Sequence, residues 1–152
     1  KELKQNGNIN FSREGDRIGS RPTLPAMNYQ GTIIEESLKG KSVLSEVKIL
    51  KTEISPVTKE DGTPWLKQWT LHTVEVPEEK AEEIAEKISK SLDYSHKSAW
   101  YADFKNETTH YIIFENKVFK IGRSAQEYAE VTKYGMSLGI PEKQLDFPHE
   151  IK

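Results

Sequence analysis

The chain has 152 residues, a mass of 17.4 kDa and a formal net charge of −2. That length suits one domain with a core of its own. Charged residues make up 30%, the apolar runs are as short as Tyr111–Phe114, and there is no cysteine; this excludes a membrane-spanning helix, a disulfide, a thiolate nucleophile and a zinc–thiolate site.

Residues 1–26 stand apart. They carry Asn6-Gly7-Asn8, Gly15-Asp16, Gly19-Ser20, Pro22 and Pro25, with only Leu3, Ile9, Phe11, Ile18, Leu24 and Ala26 as apolar residues and no usable period. Such a segment cannot bury enough apolar surface to offset its ordering entropy. It reads as an extension, flexible or added for expression, with Met27 as the native start of a single α+β domain over 27–152. That domain holds 17 basic and 21 acidic residues, a net charge of −4.

Patterned sequence follows Met27. Tyr29–Glu36, Val43–Ser55 and Trp65–Val76 read as strands, the last rich in Trp, Thr and Val. Val57–Pro64 between them is a loop with a turn at Lys59-Glu60-Asp61-Gly62. Pro77 opens a helix. Ala81, Ile84, Ala85, Ile88 and Leu92 fall at the spacing of one buried stripe, and Glu78 and Glu79 sit where the helix dipole favours negative charge. Trp100–Lys105, Thr109–Glu115 and Lys117–Ile121 form a meander. Ser124 and Glu127 have capping-box spacing for a second helix, whose stripe is Tyr128, Val131, Gly135 and Leu138. Gly139 caps it and Pro141 follows. Gln144–Phe147 adds a short edge strand.

Pairing the meander around an Asn106-Glu107 turn sets Asp103 opposite His110. An Asn116-Lys117 turn sets Phe114 opposite Phe119. One face then carries Tyr101, Asp103, His110, Ile112, Phe114, Phe119 and Ile121, and the other Trp100, Ala102, Phe104, Tyr111, Ile113 and Val118. Both faces are largely apolar, whereas a solvated antiparallel sheet is apolar on one face only. Two helical stripes on one side would leave the other partly bare. A homodimer through the sheet or its edge would cover it; the competing cover is the N-terminal strands curling over that face.

Asp103 and His110 are the sharpest chemical pair. A carboxylate beside an imidazole orients it and raises its basicity, as a general base requires. Tyr101 on the same face completes a candidate acid–base cluster. The plainer reading is a polar cross-strand pair near a hairpin end. His72, with His110 and Asp103, has the ligand types of a two-histidine, one-carboxylate metal site, but the spacing does not require it and no metal is assigned. Trp65, Trp69 and Trp100 are candidate ligand-pocket walls; the plainer reading is core. Lys117–Ile121 has a faint likeness to an RNA-recognition strand but lacks its Gly and second aromatic, and a domain at −4 has no broad basic footprint for nucleic acid. Phosphate-loop, dinucleotide and serine-hydrolase motifs are absent.

Trp65-Leu66-Lys67-Gln68-Trp69-Thr70-Leu71-His72, Trp100-Tyr101-Ala102-Asp103-Phe104-Lys105-Asn106, His110-Tyr111-Ile112-Ile113-Phe114 and Tyr134-Gly135-Met136-Ser137-Leu138-Gly139-Ile140-Pro141 resemble a family of small prokaryotic proteins of about 120 residues with no assigned activity. The likeness runs from about Met27 to Phe147 and transfers no site residues.

The expected architecture is α+β: a mainly antiparallel sheet of five or six strands with two helices packed on it, and room for a ferredoxin-like core preceded by an N-terminal hairpin. The expected function is a cytoplasmic binding or interaction module for a small molecule or protein, without cofactor, nucleic acid or membrane. The alternative is a small-molecule enzyme using Asp103, His110 and Tyr101.

Overall fold

In the computed structural model, which describes residues 27–145 and 147 apart from 59, 60, 62 and 97, the first strand is the central one. The expectations for residues 1–26 and for Lys59, Glu60 and Gly62 lie outside the described residues. β1 (Tyr29–Ile34), β2 (Lys48–Pro56), β3 (Gln68–Val76), β4 (Ala102–Lys105), β5 (His110–Phe114) and β6 (Lys117–Ile121) form one sheet in the order β2-β3-β1-β4-β5-β6. Every pairing is antiparallel. Helices α1 (Ala81–Ser91) and α2 (Ala125–Ser137) complete the α+β fold. No helix among the described residues is long and apolar enough to cross a membrane.

Because β3 and β4 both run antiparallel to β1, they are parallel to each other, and α1 joins them as a split β-α-β unit. A ferredoxin-like core would fill that gap with a strand that follows the unit in sequence. Here β1, which precedes it, fills the gap, and β5 and β6 run outward as a meander. The expected N-terminal hairpin is also absent, since β3 separates β1 from β2.

The two helices lie on opposite faces, so neither face is bare. One core cluster joins Ala81, Ile84, Ala85, Ile88 and Leu92 to Tyr29, Ile33, Val74, Val76, Phe104, Tyr111 and Ile113. The other joins Tyr128 and Val131 of α2, with Ile140, Leu145 and Phe147 of the tail, to Ile112 and Phe114. β5, buried at all five positions, is the strand both helices cover. The split β-α-β unit lifts α1 to one side, and the chain leaving β6 carries α2 to the other. β2 and β3 extend the sheet rather than curl over it. Each buried isoleucine of α1 contributes roughly 1.5–3 kcal/mol relative to exposure.

Local chemistry explains the element ends. Pro77 has φ −60° and leads through a 3-10 turn, Glu78–Lys80, into α1. Ser124 caps α2: its Oγ accepts the Glu127 N–H at 3.2 Å and donates to Glu127 Oε1 at 2.8 Å. Glu127 Oε2 accepts the Gly122 N–H at 2.9 Å. These donors, Gly122 first and Ser124 next, hold the Glu127 carboxyl below its ordinary pKa. Gly139 ends the helix at φ +93°, left-handed backbone that glycine tolerates. The tail is a 3-10 turn, Glu142–Gln144, not an edge strand. It packs close, because Gly135 leaves room for Leu145; a Cβ there would meet Leu145 Cδ2 at 2.7 Å.

The meander register differs from expectation by two residues at each turn. Lys105 faces His110 and Asp103 faces Ile112; Phe114 faces Lys117 and Ile112 faces Phe119. The first turn is longer because Asn106 Oδ1 accepts the N–H groups of Thr108 and Thr109, at 3.0 and 2.9 Å. The second is Glu115-Asn116, with Asn116 at φ 58°. A shift of two leaves every side chain on its expected face.

Candidate functional site

Asp103 and His110 are diagonal neighbours on the α2 face, and they meet. His110 Nε2 lies 2.7 Å from Asp103 Oδ2, with His110 at 0% exposure and Asp103 at 6%. His110 Nδ1 lies 2.9 Å from the Tyr128 hydroxyl. That hydroxyl accepts Arg123 Nε–H at 2.6 Å, and Arg123 Nη1 donates to Asn106 O at 2.5 Å. His110 thus bridges the Tyr128 hydroxyl and the Asp103 carboxylate. Both ring nitrogens are engaged, and His110 is not among the residues that line the neighbouring cavity. Arg123 and Tyr128 were missed as members of this network; Tyr128 read only as core, and Arg123, in the strand-to-helix turn, gave no signal.

Asp103 itself faces a cavity of about 320 Å³. β1 and β4 set it there, since Thr32 stands opposite Asp103 in the ladder. Trp69 at the start of β3, Trp100 and Tyr101 before β4, and Ile140 of the tail form its walls; Thr32 and Gln144 add polar groups. Trp69 and Trp100 pack edge to face at 5.4 Å. The Trp69 indole N–H donates to Thr63 Oγ1 at 3.0 Å, which fixes that ring. The Tyr101 hydroxyl donates to Gln144 O at 2.5 Å. It therefore ties down the tail instead of joining an acid–base cluster with His110, as the sequence led us to expect. Tyr101 contributes its ring, packed on Phe147 and Phe114.

Four of the six sequence-derived candidates, Asp103, Tyr101, Trp69 and Trp100, therefore line one pocket. His110 stands behind its Asp103 wall. Trp65 lies apart, 38% exposed and packed at a tilt against His96, ring centroids 4.4 Å apart, because it falls in a turn before β3 begins. Thr32, Ile140 and Gln144 carried no recognisable sequence signal; the long-range pairing of β1 and the tail brings them in. A larger open groove of about 660 Å³ adjoins at Thr32, with Lys105 and Arg123 among its walls.

His72 does not join Asp103 and His110. It faces Ile33 and so lies on the α1 side of the sheet. There it forms a second, part-buried pair, with Nε2 2.7 Å from Glu35 Oε1 and Nδ1 2.8 Å from the Thr52 hydroxyl. Among the described residues no group of three His, Asp or Glu side chains is close enough to hold a metal.

No protein-family model, no curated protein and no solved structure matches this chain.

Proposed function

We propose that the chain is a small-molecule-binding module whose ligand occupies the pocket over Asp103. One observation carries this reading: the pocket is a formed aromatic cavity with a buried carboxylate in its wall, while the histidine that would make it an acid–base centre is sealed behind that carboxylate. A general base must reach the proton it removes, and His110 reaches only Asp103 and Tyr128. It serves as a positioning residue that holds Asp103 toward the cavity. The enzyme alternative therefore loses its main support. The volume lies at the lower end of the range for ligand sites, which favours a small metabolite over a peptide. A cytoplasmic setting belongs to the same proposal, since a cysteine-free chain needs no oxidising compartment.

Ligand-observed saturation-transfer NMR of the full chain against a fragment library tests it. Fragments should bind, and Ala99→Phe, which fills the pocket, should abolish their signals. Signals that persist in that variant would place binding elsewhere.

A homodimer, if formed, uses the edge and not a face. Both faces are covered, but among the described residues β2 is an edge strand of nine residues with Ile49, Leu50 and Ile54 exposed at 42, 41 and 56%. Two copies pairing β2 antiparallel would cover these side chains and the open ladder. Sedimentation equilibrium at micromolar concentration should show twice the 17.4 kDa chain mass, reduced to one by Ile54→Lys; a monomer in the native protein contradicts the pairing.

A further inference from the structure

Resting on the pocket reading above, we infer that the ligand is a small organic cation whose ammonium group sits on Asp103 beside Trp69 and Trp100. Among the described residues, Asp103 is the one charged side chain lining the cavity. It is 6% exposed, and only its Oδ2 is engaged, by His110. Its Oδ1 has no hydrogen-bond partner among the described residues. A desolvated carboxylate is costly unless a positive charge or a full set of donors meets it.

Among the described residues, no cationic side chain lines the cavity. Its neighbouring cation, Arg123, is separated from Asp103 by Tyr128 and His110, and it is committed to the Tyr128 oxygen and the Asn106 carbonyl. A cationic ligand would supply the positive charge that the described residues lining the cavity do not.

The walls suit the same partner. Indole and phenol faces carry negative quadrupole charge and attract cations within about 6 Å of the ring centroid. Ile34, Ala99 and Ile140 offer apolar surface for the rest of the ligand. An anion would meet the carboxylate at close range in a low-dielectric site, which repels it. The basic side chains Lys105 and Arg123 line the adjoining groove and not this cavity.

Three probes of one shape and three charges test the inference by titration calorimetry on the full chain: benzylamine, benzyl alcohol and benzoate. Benzylamine should bind at least about tenfold more tightly than benzyl alcohol, and benzoate should not bind. Asp103→Asn keeps the size and an acceptor for His110; it should weaken benzylamine at least about tenfold, and by more than it weakens benzyl alcohol. Equal affinities for amine and alcohol, or tightest binding of benzoate, overturn the cation while leaving the pocket standing. No binding by any of the three overturns the pocket itself. The native-protein series decides the matter whether or not the variant folds.

Discussion

Gly31 and Asp103 lie so close across the β1–β4 ladder that a Cβ on Gly31 would stand 1.8 Å from the Asp103 carbonyl oxygen and 2.4 Å from Phe104 Cα. Backbone cannot yield there as a flexible side chain would, so the missing Cβ is what lets β1 enter the sheet beside the pocket. We expect Gly31→Ala to destabilise the fold by about 3 kcal/mol or more, seen as a lower urea midpoint. A midpoint equal to that of the native chain would show that the strands do not approach this closely.

Ser89 pins α1 to the β5–β6 hairpin. Its hydroxyl donates to Phe114 O at 2.7 Å and accepts the Lys117 N–H at 3.0 Å, while its carbonyl accepts the Asn116 N–H at 3.3 Å. Ser89 is 2% exposed. Ser89→Ala removes the hydroxyl from the buried Phe114 carbonyl and the part-buried Lys117 N–H and should cost about 1–3 kcal/mol. Chemical denaturation measures it; a loss below about 0.5 kcal/mol would mean that the hairpin turn is held by other contacts.

Burial pushes the Tyr94 hydroxyl up to about 12, against which its hydrogen bond from the Glu115 N–H works only weakly. It donates to Trp100 O at 2.6 Å. The unfolded chain releases this proton near pH 10, the folded chain only near 12. The stabilisation is thus whole below pH 10 and is lost as the pH rises from 10 to 12. Stability should fall across that window, and more steeply than in Tyr94→Phe, which lacks the group. Parallel slopes for the two proteins would remove Tyr94 as the cause.

Arg123, Tyr128, His110 and Asp103 form one chain of hydrogen bonds. Long-range nitrogen–proton NMR should show a proton on His110 Nε2, the nitrogen that meets Asp103. Tyr128→Phe removes the hydroxyl partner of Nδ1 and the acceptor for Arg123, and should cost about 1–3 kcal/mol. A bare Nε2 in the native protein would leave Asp103 Oδ2 without its donor and contradict that chain of hydrogen bonds.

Much of this was legible because it is periodic or local. The α1 stripe, the Ser124 cap, Gly139 and the face membership of the meander depend on spacings of a few residues. The two register errors preserve faces, since each is a slip of two, but they set Asp103 directly opposite His110 where the two are diagonal neighbours. What was hidden is long-range. No local pattern says that β1 inserts between β3 and β4, so the core order and the placement of Thr32 beside Asp103 could not be read. Nothing in the helical stripes says that α1 and α2 take opposite faces, which misdirected the search for a cover. The nearness of Asp103 and His110 followed from strand alternation. That Asp103 would line the cavity and His110 lie behind it depends on Tyr128 and the tail, which only tertiary packing brings in.

The three tryptophans offer the most direct measurement of the central claim, that the cavity over Asp103 is where a ligand binds. The indole N–H signals of the labelled full chain, followed during addition of benzylamine and separately of benzyl alcohol, report on Trp65, Trp69 and Trp100 independently. Trp69 and Trp100 line the cavity and Trp65 does not. The account predicts that the Trp69 and Trp100 signals move together and saturate while Trp65 stays in place. Movement of Trp65 alone, or of none of the three, would contradict it.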